Sequence, residues 1–321
     1  QRQINVADNL SVVARDHQLK FGVDYRRLTP VYAPRGYVQQ AEFNSIGVTA
    51  PGTPAPSGSI LSGGLSIAFI SAQAEPREPV FTNLSLYGQA TWRAKKRLTL
   101  VYGLRYEVNP APYERNGNDV FTVVGLDDLA TAKLGPRGPL YETTYNNFAP
   151  RFGAAYQLSG ESGRETVVRG GIGLFYDLGS GSIANGYSSG SFPYTANTIV
   201  PEGTIYPFVD PSMAVPPPIS LTPNNASLSL AIPDLKLPRV YQWNLSIEQS
   251  LGNNQTVTAS YVAAVGRRLL RLERVVLSPG TNPNFGGSTN FSLTTNGGTS
   301  DYHAIQLQFQ RRLSHGLQAL A

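Results

Sequence analysis

The feature that most constrains this chain is the alternation of apolar and polar side chains in segments about ten residues long. In segment 98–107, LTLVYGLRYE, apolar side chains at even positions alternate with Thr99, Val101, Gly103, Arg105 and Glu107. A period of two places every second side chain on the same face of a β-strand. The pattern predicts about ten strands, at 4–15, 18–27, 84–93, 98–107, 148–158, 167–177, 241–251, 256–263, 305–310 and 317–321.

The lengths of the connections give the second constraint, because short and long connections alternate strictly along the chain. The short ones are 16–17, 94–96, 159–165, 252–255 and 314–316, and the long ones are 28–80, 109–146, 178–238 and 264–301. In an up-and-down barrel, alternate connections lie on opposite rims. Bacterial outer-membrane barrels have short periplasmic turns and longer extracellular loops, so the pattern predicts this orientation.

The composition is unusual for a soluble domain. Charged residues make up 15% of the chain, against about 25% in soluble proteins. No run of 18 apolar residues occurs, which argues against a transmembrane helix, so a membrane-spanning form must be a closed barrel. Aromatic residues lie near the ends of the predicted strands, as interfacial girdles require, although aromatic packing in a soluble sandwich is the alternative explanation: Trp92, Tyr106, Tyr176, Tyr241 and Trp243. We therefore predict an all-β, antiparallel, up-and-down transmembrane barrel in the cell outer membrane.

Several segments carry a family resemblance. QLKFGVDYRR, SLYGQATW followed by RLTLVYGLRYE, NNFAPRFGAAY, VVRGGIGLFYD, YQWNLSIEQSLG and DYHAIQLQFQRRLSHGLQ occur in this order along the chain. The chain resembles the β-barrel part of TonB-dependent receptors, in particular the Oar-like group with large surface loops. The resemblance implies a barrel of about 22 strands with a plugged lumen, of which residues 1–321 would form one partial barrel domain.

The same resemblance implies partners. They are outer-membrane lipid and lipopolysaccharide, the receptor's own plug domain, the TonB complex and a ligand whose identity the sequence does not indicate. We expect the plug domain and the TonB box to lie outside this chain. Nucleic acid is not expected as a partner, because the aromatic residues alternate into an apolar face and do not interleave with the basic ones.

The alternation also predicts which side chains line the lumen. On strands whose apolar face includes Leu104, Leu174 and Leu245, the opposite face should point inward, toward plug or water. The candidate lumen-lining residues are Arg105, Glu107, Arg169, Asp177, Gln242 and Glu248.

Catalytic and cofactor chemistry is not indicated. The chain has no cysteine, and no G-x-S-x-G elbow or P-loop is present. His17, His303 and His315 are expected in or near turns and lack metal-ligand spacing, so neither a metal nor another cofactor is predicted. Gly171 and Gly173 are best explained as small residues that leave room on a lumen-facing strand. The protein is not expected to be an enzyme.

Two basic clusters remain. Residues 93–97 contain Arg93, Lys95, Lys96 and Arg97 and are predicted to form a solvated periplasmic turn. A second cluster, at the base of a long loop, either is solvated or contacts anionic lipopolysaccharide or ligand; it consists of Arg267, Arg268, Arg271 and Arg274.

These observations favour an outer-membrane receptor and transporter barrel, with ligand uptake energised through TonB in the full-length protein. A passive porin-like channel is the first alternative, and a plug domain in the complete gene would distinguish the two. A secreted β-rich adhesin or carbohydrate-binding module is the second. Solubility without detergent would favour that module, because a lipid-facing apolar band makes a barrel aggregate in water.

Overall fold

The fold consists of one large sheet with folded connections at one of its ends. The computed structural model describes residues 2–33, 36–73, 76–188, 190–314 and 317–320. Consecutive antiparallel strands form the main part of a 12-stranded sheet: β1 (Arg2–Ala14), β2 (His17–Thr29), β5 (Pro79–Lys95), β6 (Leu98–Val108), β10 (Asn147–Ser159), β11 (Thr166–Tyr176), β14 (Arg239–Leu251), β15 (Gln255–Leu277), β16 (Thr289–Ser314) and β17 (Leu317–Leu320). The predicted all-β, mostly antiparallel architecture is confirmed.

The short connections are tight turns at one end of this sheet. Arg15 adopts a positive φ of 54° in the turn between β1 and β2, and Gly252 adopts 69° between β14 and β15. A left-handed residue reverses the chain within a few residues, and glycine adopts that conformation without steric cost. Of the predicted turn at 314–316, residues 315 and 316 lie outside the described residues.

The long connections contain secondary structure of their own. Three strands of these connections form a separate antiparallel sheet, two more form a hairpin, and the remaining two pair with strands of the main sheet. They are β3 (Tyr37–Glu42), β4 (Ile67–Gln73), β7 (Tyr113–Glu114), β8 (Phe121–Val124), β9 (Lys133–Arg137), β12 (Thr195–Val200) and β13 (Ser227–Ala231), with the short helix α1 (Ser180–Ala184) and 3₁₀ turns at Ile60–Ser62, Asn185–Tyr187 and Pro211–Ala214.

The prediction of a long loop at 264–301 is wrong. The hairpin of β15 and β16 continues to Leu277 and resumes at Thr289, so only residues 278–288 connect its two strands. The register shifts between Gly266 and Leu269 and again between Leu269 and Arg271, an irregularity at which a strand bends locally. Beyond that bend β16 gains a new neighbour, because β13 pairs with it in parallel from Ser227 to Ala231.

We call the sheet from β1 to β17, up to residue 266 on β15 and from residue 300 on β16, the wall. The connections 30–78, 109–146 and 177–238, together with residues 267–299, are the cap. All three clusters of buried apolar side chains consist of cap residues, and their largest members are Phe291, Tyr187 and Leu65. The wall, in contrast, exposes apolar side chains over one whole face.

Among the described residues, no helix is long and apolar enough to cross a membrane.

Candidate functional site: the polar face of the wall

Strand register divides the wall into two faces of opposite chemistry. Tyr102 pairs with Ala90 on one neighbouring strand and with Phe152 on the other, whereas the adjacent Gly103 pairs with Gln89 and Arg151. Directly paired residues project to the same side of a sheet, so these two rows lie on opposite faces.

The apolar face is exposed to an extent that a soluble protein does not tolerate. Leu245 is 57% exposed, Ile305 77% and Leu307 74%, and exposed side chains of this kind continue across the wall. Contiguous apolar patches on soluble monomers rarely exceed a few hundred Å². The face is therefore adapted to an apolar solvent. It includes Leu10, Phe21, Leu86, Tyr102, Leu104, Phe148, Phe152, Tyr156, Ile172, Leu245, Ile247 and Tyr261.

The predicted lumen-lining residues lie on the opposite, polar face. Register places Arg105 and Glu107 on β6, Arg169 on β11, and Gln242 and Glu248 on β14, all on the side facing away from Leu104, Leu174 and Leu245. Asp177 immediately follows β11, where its backbone N–H donates to the carbonyl of Pro238. The structure brings four of these six residues together as two pairs, and does not gather all six into one cluster. The Nη1 atom of Arg169 lies 3.1 Å from a carboxylate oxygen of Glu248, and Nε of Arg105 lies 2.9 Å from Glu107.

An ion-pair network extends the second of these pairs across three strands. Asp24 on β2 lies 2.8 Å from Nη2 of Arg26 and 3.9 Å from Nη2 of Arg105. The intervening strand contributes Ser85, which pairs with both Asp24 and Glu107 and is small enough to let charges on β2 and β6 interact across it. Period-two alternation along β2 puts Asp24 and Arg26 on this face, opposite Phe21 and Val23. Their meeting with Arg105 depends on the order of strands in the sheet.

Glycines on the polar face leave space that neighbouring side chains fill. Gly22 lies beneath the ring of Tyr87, whose hydroxyl donates to the side-chain oxygen of Asn9 one strand further on. At Gly173, an added Cβ would lie 3.0 Å from the ring of Phe175 and 3.3 Å from the side chain of Arg151. Arg151 itself lies 4.2 Å above the centre of the Phe175 ring. Much of the room at Gly173 is therefore taken by this cation–π pair.

A cavity of about 190 Å³ lies where the polar face meets the cap. Its polar lining includes Arg26, Asn109 and Tyr141, and its apolar lining comes from Leu28, Phe81, Pro110, Leu178 and Ile183. Asn109 is 6% exposed and accepts a hydrogen bond from Asn83, while its own Nδ2 donor has no partner. Burial raises the pKa of Tyr141 to about 12, which keeps its hydroxyl protonated as a hydrogen-bond donor. The cavity thus combines apolar walls with donors, an arrangement suited to oxygen-bearing ligands.

The cap above this cavity is organised around a buried cation. Arg77 is 1% exposed, donates from Nε to the carbonyl of Tyr187 at 3.0 Å and lies 4.0 Å above the Tyr194 ring. Burial lowers the pKa of Arg77, and the same cause raises the pKa of both tyrosines. Tyr187 in turn donates its hydroxyl to the carbonyl of Pro112 at 2.9 Å, so three of the long connections meet here.

The histidines are not confined to turns, so that prediction is wrong for His303. His303 lies within β16 on the apolar face, where its Nδ1 is 2.7 Å from the hydroxyl of Tyr261 and its ring packs edge-on against Trp243. His17 begins β2 and stacks on Trp92 with ring centroids 5.4 Å apart. His315 lies outside the described residues. These rings extend the aromatic rows of the apolar face.

The family model described as "Outer membrane beta barrel domain" matches residues 1–321. The chain belongs to this family. An outer membrane β-barrel domain resides in the cell outer membrane, so the exposed apolar face of the wall faces lipid. No curated protein matches the sequence.

Solved structures share the fold of this outer membrane β-barrel domain. The ferric enterobactin receptor PfeA is 11% identical with a TM-score of 0.50, and the match covers 99% of this chain and 34% of that one. The FrpB iron transporter from Neisseria meningitidis (F3-3 variant) is 11% identical, with a TM-score of 0.46 and coverage of 97% and 33%. The copper transporter OprC is 14% identical with a TM-score of 0.46, and the match covers 98% of this chain and 35% of that one.

The chain spans about a third of the length of these receptors and transporters. The expected all-β fold of an outer membrane β-barrel domain is confirmed.

Proposed function

We propose that the full-length protein is a TonB-dependent receptor of the outer membrane, in which this chain supplies part of the barrel wall and its extracellular cap. The observation that carries the proposal is the opposite chemistry of the two wall faces. One face exposes leucine, isoleucine and aromatic side chains, and the other holds the ion pairs of Arg105 and Arg169. A wall between lipid and a water- or protein-filled lumen has this division.

In this arrangement the polar face lines the lumen. Arg105, Glu107, Arg169, Gln242 and Glu248 contact the plug or water, and Asp177 lies at the entrance beneath the cap. A ligand enters under the cap, reaches the cavity at Asn109 and passes along the polar face when the plug is displaced. Energy for that displacement comes from TonB through the plug, as the family resemblance implies.

Adjacent single cysteines test the assignment of the lumen face. This chain has no cysteine of its own, so Leu104→Cys and Arg105→Cys introduce unique thiols within it. In the full-length receptor reconstituted into liposomes, we expect a hydrophilic maleimide to label position 105. A fluorophore at position 104 should instead be quenched by a lipid-phase quencher. The reverse pattern would reject the assignment.

Electrical and binding measurements separate the receptor from the alternatives. A plugged receptor in a planar bilayer shows no steady conductance and binds the purified periplasmic domain of TonB. A passive porin-like channel conducts and does not bind TonB. A secreted adhesin stays in solution without detergent. Steady conductance without TonB binding would replace the proposal by the porin-like alternative.

A further inference from the structure

The apolar face ends abruptly in arginine at the cap end of β14 and β15. Arg239 and Arg267 are direct cross-strand partners, and they follow Tyr241 and Val265 in the same rows of the lipid-facing side. Two like charges directly opposite each other destabilise a pair of strands unless an anion lies between them.

The described residues provide a carboxylate partner for only one of these two arginines. Nη2 of Arg267 lies 2.8 Å from a carboxylate oxygen of Asp301, whereas no carboxylate of the described residues lies within ion-pair distance of Arg239. The Arg239 guanidinium lies 5.3 Å from the centre of the Tyr241 ring, and its Nε is buried without a hydrogen-bond partner. The pair therefore carries two cations against one carboxylate.

The bend in the long hairpin adds a third cation. The register shift between Gly266 and Leu269 places Arg268 in the bulge, where it adopts a positive φ of 56° and is exposed. The basic cluster seen in the sequence is thus divided. Arg267 lies at the edge of the lipid-facing side and Arg268 follows it in the bulge, while Arg271 and Arg274 lie further along the hairpin, Arg271 within 3.6 Å of Glu273.

We propose that Arg239, Arg267 and Arg268 form a binding site for the phosphate group of an outer-membrane lipid. The site lies on the lipid-facing side, one residue pair beyond the aromatic and apolar rows, which is where headgroups meet the protein. Guanidinium groups match phosphate oxygens with paired N–H donors and lose less hydration than an ammonium group. Because Gln242 and the other lumen-lining candidates lie on the opposite face, the ligand comes from the membrane and not from the transport path.

The experiment measures binding of a phosphorylated lipid to the full-length receptor in neutral detergent. The probe is lipid A, with the same glycolipid stripped of its phosphates as the comparison, and native mass spectrometry counts the bound copies. Each arginine near a charged surface contributes about fivefold in affinity. We expect Arg239→Gln to weaken lipid A binding about fivefold and the double variant Arg239→Gln/Arg267→Gln about 25-fold.

A third variant moves binding in the opposite direction. Asp301→Asn removes the carboxylate that competes for Arg267, so lipid A should bind more tightly than to the native receptor. A purely structural Arg267–Asp301 pair does not produce that gain. The matched control is Lys95→Gln/Lys96→Gln, which removes the same charge from an exposed turn at the other end of the wall and should leave binding unchanged.

Three outcomes would overturn the proposal. They are equal lipid A binding by the native receptor and the double variant, equal binding of phosphorylated and dephosphorylated glycolipid, or an equal loss in the Lys95/Lys96 control. Millimolar inorganic phosphate that displaces lipid A from the native receptor but has no such effect on the double variant supports recognition of the phosphate itself. Intact heat-modifiable migration of every variant shows that its barrel is folded.

Discussion

The wall and the cap distribute their apolar side chains in opposite ways. In the wall, Ile305 is 77% exposed and Leu245 57%, because their burial is completed by lipid. In the cap, Phe291 is 1% exposed and Tyr187 is fully buried, because the connections pack on one another. The contrast shows that the cap buries its apolar side chains in cores of its own, whereas the apolar side chains of the wall depend on the membrane.

The largest expected effect comes from truncating the core of the cap. Phe291 packs edge-on against Phe285 at a centroid distance of 5.1 Å, and Phe291→Ala should destabilise the cap by about 3–5 kcal/mol. Hydrogen exchange of cap amides in the full-length receptor in nanodiscs measures this change. The control is Phe148→Ala on the lipid-facing side, where a half-exposed ring is lost and cap exchange should stay the same. Equal acceleration in both variants would mean that cap and wall are one cooperative unit.

The second effect tests the wall. Tyr102 is 44% exposed on the apolar face, whereas Val101 lies on the polar face beside Gly153, where a longer side chain has room. Tyr102→Arg near mid-bilayer should cost about 2–4 kcal/mol, and Val101→Arg much less because water reaches the lumen. Refolding of the complete receptor into liposomes, compared with buffer, provides the measurement. Equal tolerance at the two positions, or native folding in plain buffer, would contradict a lipid-facing wall.

The third effect is a loss of cap stability at alkaline pH. Burial raises the pKa of Tyr141 to about 12 in the folded cap, above its value of about 10 in an unfolded chain. The folded cap thus favours the protonated phenol, and this stabilisation is present below pH 10 and is lost as the pH rises to about 12. The loss is at most about 3 kcal/mol.

Hydrogen-exchange rates of the cap amides between pH 9 and 12 measure this loss, once they are corrected for the pH dependence of exchange in an unfolded chain. Tyr141→Phe should reduce the pH dependence, to which the buried Tyr187 and Tyr194 also contribute, while Tyr145→Phe, at a residue 65% exposed, should leave it unchanged. An unchanged profile for Tyr141→Phe would show that another group controls alkaline opening.

The smallest effect concerns an ion pair on the polar face. The side chains of Arg169 and Glu248 are 56% and 37% exposed, so water and salt screen their attraction. Glu248→Gln should change the free energy of unfolding by about 0–1 kcal/mol. Urea titration in lipid vesicles at low and high salt measures it. A loss several times larger would indicate that the pair is shielded from water in the full receptor, for example beneath a plug.

The wall was predictable because its determinants are local. One face of each strand contacts lipid and the opposite face points toward the lumen. The alternation at 98–107 or 241–251 therefore encodes both the strand and its orientation. The same rule explains why the extension of β15 and β16 was missed. Outside the membrane neither side of the hairpin meets lipid, and charged residues such as the adjacent Glu273 and Arg274 occupy both of its faces.

The cap was not predictable, because its contacts join residues far apart in the chain. Nε of Arg77 bonds to Tyr187, 110 residues away, and β13 pairs with β16 in a parallel register that no short-range pattern encodes. The cavity at Asn109 depends on the same packing. The sequence indicated the residue types of the polar face, but not that Asp24 would reach Arg105 across Ser85.

The buried Asn282 has a consequence for the order of assembly. Its amide donates to the carbonyls of Leu129 and Ala132, so the connection between β15 and β16 is tied to one about 150 residues earlier. Neighbouring strands of the wall need only contacts with one another, which form early because their sequence separation is comparatively small. The part of the cap around Asn282 closes only after the hairpin of β15 and β16 is in place. We therefore expect a stage of assembly in which these wall strands are paired while the surface loops are still open to proteases at the cell surface.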